Sequence, residues 1–124
     1  LGRFVLTAVS ADKYQGIESK LSGKALLDAE KRIFAWGHPE AGACLAALWR
    51  FPQSLEHSIR YYLSPEEAGE DRAMASLLAV ANTLTSLEPG ANEAALTDCK
   101  EALNFLEISP ADALQLQKQL SANY

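Results

Sequence analysis

Residues 30–43, EKRIFAWGHPEAGA, contain the end of one predicted helix and the start of the next. The first helix covers about residues 25–36, and Glu30 lies in the middle of its apolar face. Gly37 ends this helix, and His38 begins the following one. Burying a carboxylate is costly unless it accepts hydrogen bonds, and the free amides of the next helix or the His38 ring are the expected donors. We therefore predict that Glu30 is buried and locks the junction of the two helices.

The remainder of the chain also favours helices. Alanine and leucine supply 40 residues, whereas the β-branched valine, isoleucine and threonine supply 11. Prolines suited to a first helical turn mark three of the starts, after Gly37-His38, Ser64 and Ser109. Small residues around Gly42 allow another helix to approach closely. The predicted fold is all-α, a compact bundle of seven to eight short helices.

Apolar periodicity predicts which side chains face the core. Trp49 is expected to anchor the core beside Leu45, Leu48 and Leu55, and Cys99 reads as a small core residue. The helix that follows Ser64-Pro65 is predicted to bury one stripe of side chains, namely Met74, Leu77, Leu78, Ala81 and Leu84.

Charge and composition exclude several classes of protein. A net charge of −5 opposes nucleic acid as the main partner, because phosphate binding requires a positive field. Apolar runs are too short to span a membrane, and the two cysteines lack the spacing of a zinc ribbon.

The two histidines and Cys44 offer little catalytic chemistry. His57 lies off the apolar face of its helix and is predicted to be solvated, whereas His38 points inward at a helix start. Cys44 stands six residues from His38, a separation that turns the two side chains apart on a helix. We predict that no thiolate–imidazole pair forms.

Residues 30–43 and the following LWRFP, residues 48–52, resemble the central signature of HDOD domains, which are bacterial non-catalytic relatives of the HD phosphohydrolases. The opening LGRFVL is similar to a further segment of that family. The resemblance implies that residues 1–87 are an HDOD-like helical core, the C-terminal half of a domain that begins upstream of Leu1. Residues 88–124 are then a helical hairpin packed on it. The roles implied for six residues are architectural: Glu30, His38, Glu40, Gly42, Trp49 and Pro52.

The resemblance also implies that the metal site of the HD enzymes is dismantled. Tyr61 and Tyr62 stand at the paired-histidine positions, Asn82 stands at the aspartate position, and only His38 remains as a vestige. Phenols and amides are poor ligands for hard cations. We therefore expect no catalytic residue, no cofactor and no metal.

The implied function is regulatory. An HDOD-type chain acts in signal transduction in the bacterial cytoplasm, through contacts with signalling or output domains and without nucleic acid or membrane. The alternative is a metal-dependent phosphohydrolase or nucleotide-binding HD-type protein whose main ligands lie upstream, and a third class is a free-standing helical adaptor. The opening helix is expected to expose an apolar stripe and to form a two-fold homodimer through it, with the residues Phe4, Val5, Leu6 and Val9.

Overall fold

The computed structural model describes residues 1–21 and 23–123. These residues form eight α-helices and two 3₁₀ helices and contain no strand, so the all-α prediction is confirmed. The α-helices are α1 (Gly2–Val9), α2 (Ala11–Glu18), α3 (Gly23–Phe34), α4 (His38–Leu48), α5 (Gln53–Tyr61), α6 (Arg72–Ser86), α7 (Lys100–Phe105) and α8 (Pro110–Ala122). The 3₁₀ helices cover Pro65–Asp71 and Glu93–Cys99.

The chain divides into two compact units, Leu1–Tyr61 and Tyr62–Tyr124. The first unit contains α1 to α5, and the second contains the two 3₁₀ helices and α6 to α8. The division into an HDOD-like core over 1–87 and a hairpin over 88–124 stays a prediction. No helix within the described ranges is both long and apolar enough to cross a membrane.

Glycines allow α1 and α4 to pack with their backbones in contact. A Cβ atom on Gly2 would collide with the carbonyl group of His38. A Cβ atom on Gly42 would lie 3.1 Å from the backbone nitrogen of Gly2 and 3.1 Å from a methyl group of Ile59 on α5. The close approach predicted at Gly42 is therefore present, and α4 is held between α1 and α5.

The opening helix differs from its predicted exposure at two of the four positions. Leu6 is buried with Tyr14 and Ala41 in the core of the first unit, and Val5 packs against this cluster. Phe4 and Val9 do point outward, 72% and 70% exposed. The exposed stripe is therefore narrower than predicted, because one face of α1 is used against α4, and dimerisation through α1 stays a prediction.

The second unit has its own apolar core, formed by α6, α7, α8 and the second 3₁₀ helix. Cys99 is 2% exposed there, and burial raises the pKa of its thiol, so it behaves as the small core residue that was predicted. The buried members of this core are Val80, Leu84, Leu96, Cys99, Ala102, Leu103 and Ala113.

Two predicted helix starts have different outcomes. Ser109 accepts a hydrogen bond from the Asp112 amide at 3.1 Å and caps α8, as the sequence indicated. After Ser64 the chain instead enters a 3₁₀ helix that contains Gly69 at φ 58°, and α6 begins only at Arg72. The left-handed conformation at Gly69 interrupts the continuous helix that was predicted.

Turns in the left-handed region follow three helices. Ala35, Arg50 and Glu107 have φ of 66°, 58° and 58°, each just after the end of α3, α4 or α7. Helices commonly end on such a residue, which is usually glycine. The turn at Ala35 therefore ends α3 earlier than the predicted break at Gly37.

The prediction that Trp49 anchors the core is wrong. Trp49 is 55% exposed and Leu48 is 76% exposed, because both follow the part of α4 that packs against its neighbours. The buried face of α4 carries alanines, Ala43 and Ala46 among them, which suit close helix packing. The Trp49 ring packs edge-on against Phe51 at a centroid distance of 6.0 Å, at the surface.

Within the predicted buried stripe of α6, Leu84 is buried and Leu78 is half-buried, and the prediction is wrong for the other three residues. Met74 and Leu77 are 45% and 51% exposed, and Ala81 is exposed as well. The helix instead buries Ala75, Ser76 and Val80 on the opposite face, and Leu84 at the end of the predicted stripe is buried as well. Small side chains on that face permit close packing, so periodicity alone selected the wrong one of two apolar faces.

Candidate functional site

Glu30 is the centre of a buried hydrogen-bond network in the first unit. Its side chain has no exposed surface, and the His38 backbone N–H donates to Oε2 at 2.6 Å. The His38 ring nitrogen Nδ1 lies 2.7 Å from Oε1 and 2.8 Å from Oε2, and the Tyr14 hydroxyl donates to Oε1 at 3.2 Å. A carboxylate has only acceptors, so Nδ1 carries the hydrogen in this pair. Both oxygens of Glu30 are thus occupied by donors from α2 and α4.

The local fold explains why Glu30 meets the start of α4. Because Ala35 turns the chain after α3, the next helix begins beside the third, with its free amides facing Glu30. The chain passes Gly37 in a narrow space, since a Cβ atom there would collide with Leu27 and lie 2.8 Å from the Glu40 carboxylate. Both atoms are the ends of flexible side chains that can move aside, so the close approach favours glycine here without requiring it.

Glu40 supports the same helix start from the outside. Its Oε2 accepts from the Gly37 backbone N–H at 3.1 Å, and its Oε1 lies 3.8 Å from Lys31 Nζ. A carboxylate in the first turn of a helix also interacts favourably with the helix dipole. Glu30 therefore accepts from the His38 amide on the buried side of the α3–α4 junction, and Glu40 accepts from the Gly37 amide on its solvent-exposed side.

The charge and burial of Tyr14 favour a fixed arrangement of its hydrogen bond with Glu30. Burial and the neighbouring Glu30 carboxylate raise the pKa of Tyr14 above its ordinary value, so the phenol keeps its proton and remains a donor. The Tyr14 ring is fully buried and packs edge-on against Phe34 at 6.1 Å. Charge-assisted hydrogen bonds of this kind are short and strong when the partners are held in place.

The predictions for Glu30 and the start of α4 agree with this geometry. Glu30 is buried, and its donors include both the amide and the ring that the sequence indicated. Glu40 and Gly42 lie on the same helix, whereas Trp49 and Pro52 are exposed beyond its far end. The architectural role of these six residues stays a prediction.

Tyr14 was missed as part of this site, and His57 is placed differently from its prediction. Tyr14 was recognised only as an apolar position of α2, although a buried tyrosine hydroxyl usually needs a partner and so carried a signal. His57 is half-buried, and its ring packs edge-on against Tyr61 at 4.8 Å, so it is not simply solvated. Cys44 is exposed while His38 is buried, in keeping with the predicted separation of the two.

The correspondence of Tyr61, Tyr62 and Asn82 to metal-ligand positions of the HD enzymes stays a prediction. Tyr61 ends α5 and is half-buried, and Asn82 is exposed on α6. Across the described residues, no group of three or more His, Cys, Asp or Glu side chains is close enough to hold a metal ion. The Glu30–His38 pair is thus a carboxylate–imidazole pair without a third ligand of these types among those residues.

The model of the HDOD domain family matches residues 1–65, more than half of the chain. The chain belongs to the HDOD family. HDOD domains are generally non-catalytic relatives of the HD phosphohydrolases. The match contains the whole Glu30–His38 network and ends before α6. No curated protein and no solved structure shows a significant match to the chain.

Proposed function

We propose that this HDOD chain is a non-catalytic regulatory module of bacterial signal transduction, active in the cytoplasm through contacts with other proteins. The observation that carries the proposal is the state of Glu30, whose two oxygens accept from His38 and Tyr14 inside the protein. A carboxylate that accepts these hydrogen bonds connects α3 to α2 and to α4. It would have to give up these donors before it could bind a metal or move a proton.

The chemistry of the neighbouring positions supports the same proposal. Catalytic metal sites combine several imidazoles and carboxylates, because one imidazole cannot hold an ion or activate its bound water. Tyr61, Tyr62 and Asn82, which the resemblance assigns to the corresponding positions, supply phenols and an amide. Residues of this kind suit a scaffold that presents surfaces to partners.

A second candidate function is a metal-dependent phosphohydrolase or nucleotide-binding protein. One observation favours it: His38 directs Nδ1 at a carboxylate, which is how a metal-binding histidine is commonly oriented by its outer partner. In that case Glu30 would position the His38 ring, and the other ligands would have to come from elsewhere.

Elemental analysis separates the two candidates. We expect protein purified without chelator to contain far less than one equivalent of iron, manganese or zinc, and to leave a generic phosphodiester intact when manganese is added. Near-stoichiometric metal together with manganese-dependent hydrolysis that is lost in His38→Ala would replace the proposal with the second candidate.

A further inference from the structure

Helix α6 has apolar side chains on two opposite faces. One face is buried in the second unit, through Ala75 and Val80, which are 0% and 3% exposed. The opposite face, which we call the outer α6 face, consists of Met74, Leu77, Leu78 and Ala81. Met74 and Leu77 are about half exposed, Ala81 is exposed and Leu78 is half-buried. This spacing of three, four and seven residues forms one continuous stripe along the helix.

The outer α6 face lacks the charges of an ordinary surface helix. The helix has the sequence RAMASLLAVANTLTS, in which Arg72 is the only charged residue. The guanidinium of Arg72 lies over the Phe105 ring at 4.3 Å, which directs this charge towards α7. A helix on the surface of a globular protein usually carries charged side chains opposite its buried stripe. A helix that is apolar on both sides is one that is covered on both sides, so the outer face has the character of an interface.

The charges around this face determine what can cover it. Residues 62–124 contain ten Asp and Glu and three Lys and Arg, whereas residues 1–61 contain six and eight. Exposed carboxylates lie in the segments that enter and leave α6, namely Glu66, Glu67, Glu70, Glu88 and Glu93. An apolar stripe on an acidic unit, with exposed carboxylates in the segments at both ends of its helix, favours a partner that combines an apolar stripe with positive charge.

We propose that the outer α6 face binds a basic amphipathic helix of a partner protein. The inference rests on the proposed function, because it names the partner surface of a module that acts through protein contacts. A second copy of this unit would place its own acidic segments against those of the first, and like charges in an interface oppose association. A basic helix instead packs leucine-sized side chains between Met74, Leu77 and Ala81 and directs lysines to the flanking carboxylates.

A synthetic peptide tests the proposal with the intact chain. The probe is a fluorescent helical peptide of about 18 residues, with leucines at spacings of three and four and lysines elsewhere. Its matched control has glutamate in place of every lysine. Fluorescence anisotropy is measured for the wild type, for the double variant Met74→Gln/Leu77→Gln, and for Leu116→Gln. Leu116 is an exposed leucine of α8 in the same unit, 45% exposed, and so controls for the loss of any surface leucine.

The expected result has three parts. The lysine peptide binds the wild type with a Kd of about 1–100 µM and more weakly as salt is raised, and the glutamate peptide does not bind. The double variant binds the lysine peptide at least about tenfold more weakly. It stays folded with a cooperative thermal transition, since the changed side chains are half exposed. The Leu116→Gln variant binds like the wild type.

Four results would overturn the inference. They are no binding of the lysine peptide, equal binding of both peptides, an equal loss in Leu116→Gln, or self-association of the chain that the double variant abolishes. None of these results affects the proposed function. The proposed function is contradicted only if the purified protein contains near-stoichiometric metal and hydrolyses a phosphodiester.

Discussion

Replacing Gly2 by alanine will destabilise the chain by about 3 kcal/mol, because the new methyl group collides with the carbonyl group of His38. The obstacle is backbone at the start of α4, next to the Glu30 network, and it cannot rotate away as a flexible side chain would. Helix α1 must therefore move off α4, which also uncovers the buried Leu6. Urea unfolding followed by circular dichroism measures the loss, and limited proteolysis within α1 detects its release.

Gly16→Ala is the matched control for this change. Gly16 lies inside α2, and a methyl group there would meet no described atom within 4 Å beyond its own helix and its sequence neighbours. Alanine has the higher helix propensity, so this variant should gain about 0.5–1 kcal/mol. Two variants of equal stability would contradict the close packing of α1 on α4.

Glu30→Ala will cost about 3–5 kcal/mol, because it removes a buried charged acceptor and leaves the donors of His38 and Tyr14 without a partner. Glu30→Gln keeps the shape but offers one acceptor oxygen and two unwanted hydrogens, so its cost should be about 1–3 kcal/mol. Both values come from urea unfolding at neutral pH, with the native circular dichroism spectrum as a check on folding.

Glu40→Gln separates this buried network from an ordinary helix cap. Glu40 is part-exposed, and its ion pair with Lys31 spans 3.8 Å, so its neutralisation should cost about 1 kcal/mol or less. If Glu30→Ala and Glu40→Gln were equally stable, Glu30 would be a surface residue in solution and its place on α3 would be wrong.

Predictions from the sequence were most successful where the chemistry of neighbouring residues permits only one local arrangement. A glutamate inside an apolar face must find donors, and the next helix start supplies them, so the order of residues along the chain is enough to pair Glu30 with His38. The glycine among alanines at Gly42 likewise predicts a close helix crossing. Ser109 followed by proline and an acidic residue predicts the start of α8.

The predictions failed where two surfaces of one helix have similar chemistry. Helix α6 has apolar side chains on both faces, so periodicity could not say that alanines and valine would be buried in preference to Met74 and Leu77. Trp49 was assigned to the core because it continues the apolar spacing of α4, although a tryptophan at a helix end can remain at the surface. In both cases tertiary packing, and not the local pattern, selects the buried side.

Thermal unfolding with and without manganese tests most directly the claim that Glu30 and His38 join two helices and hold no metal ion. The predicted result is one melting temperature for the wild type in chelator and in excess manganese. If the pair bound manganese, saturation about a hundredfold above the Kd would raise the melting temperature by about 5–10 °C. Such a rise in the wild type, absent in Glu30→Gln, would contradict the structural role proposed for this pair.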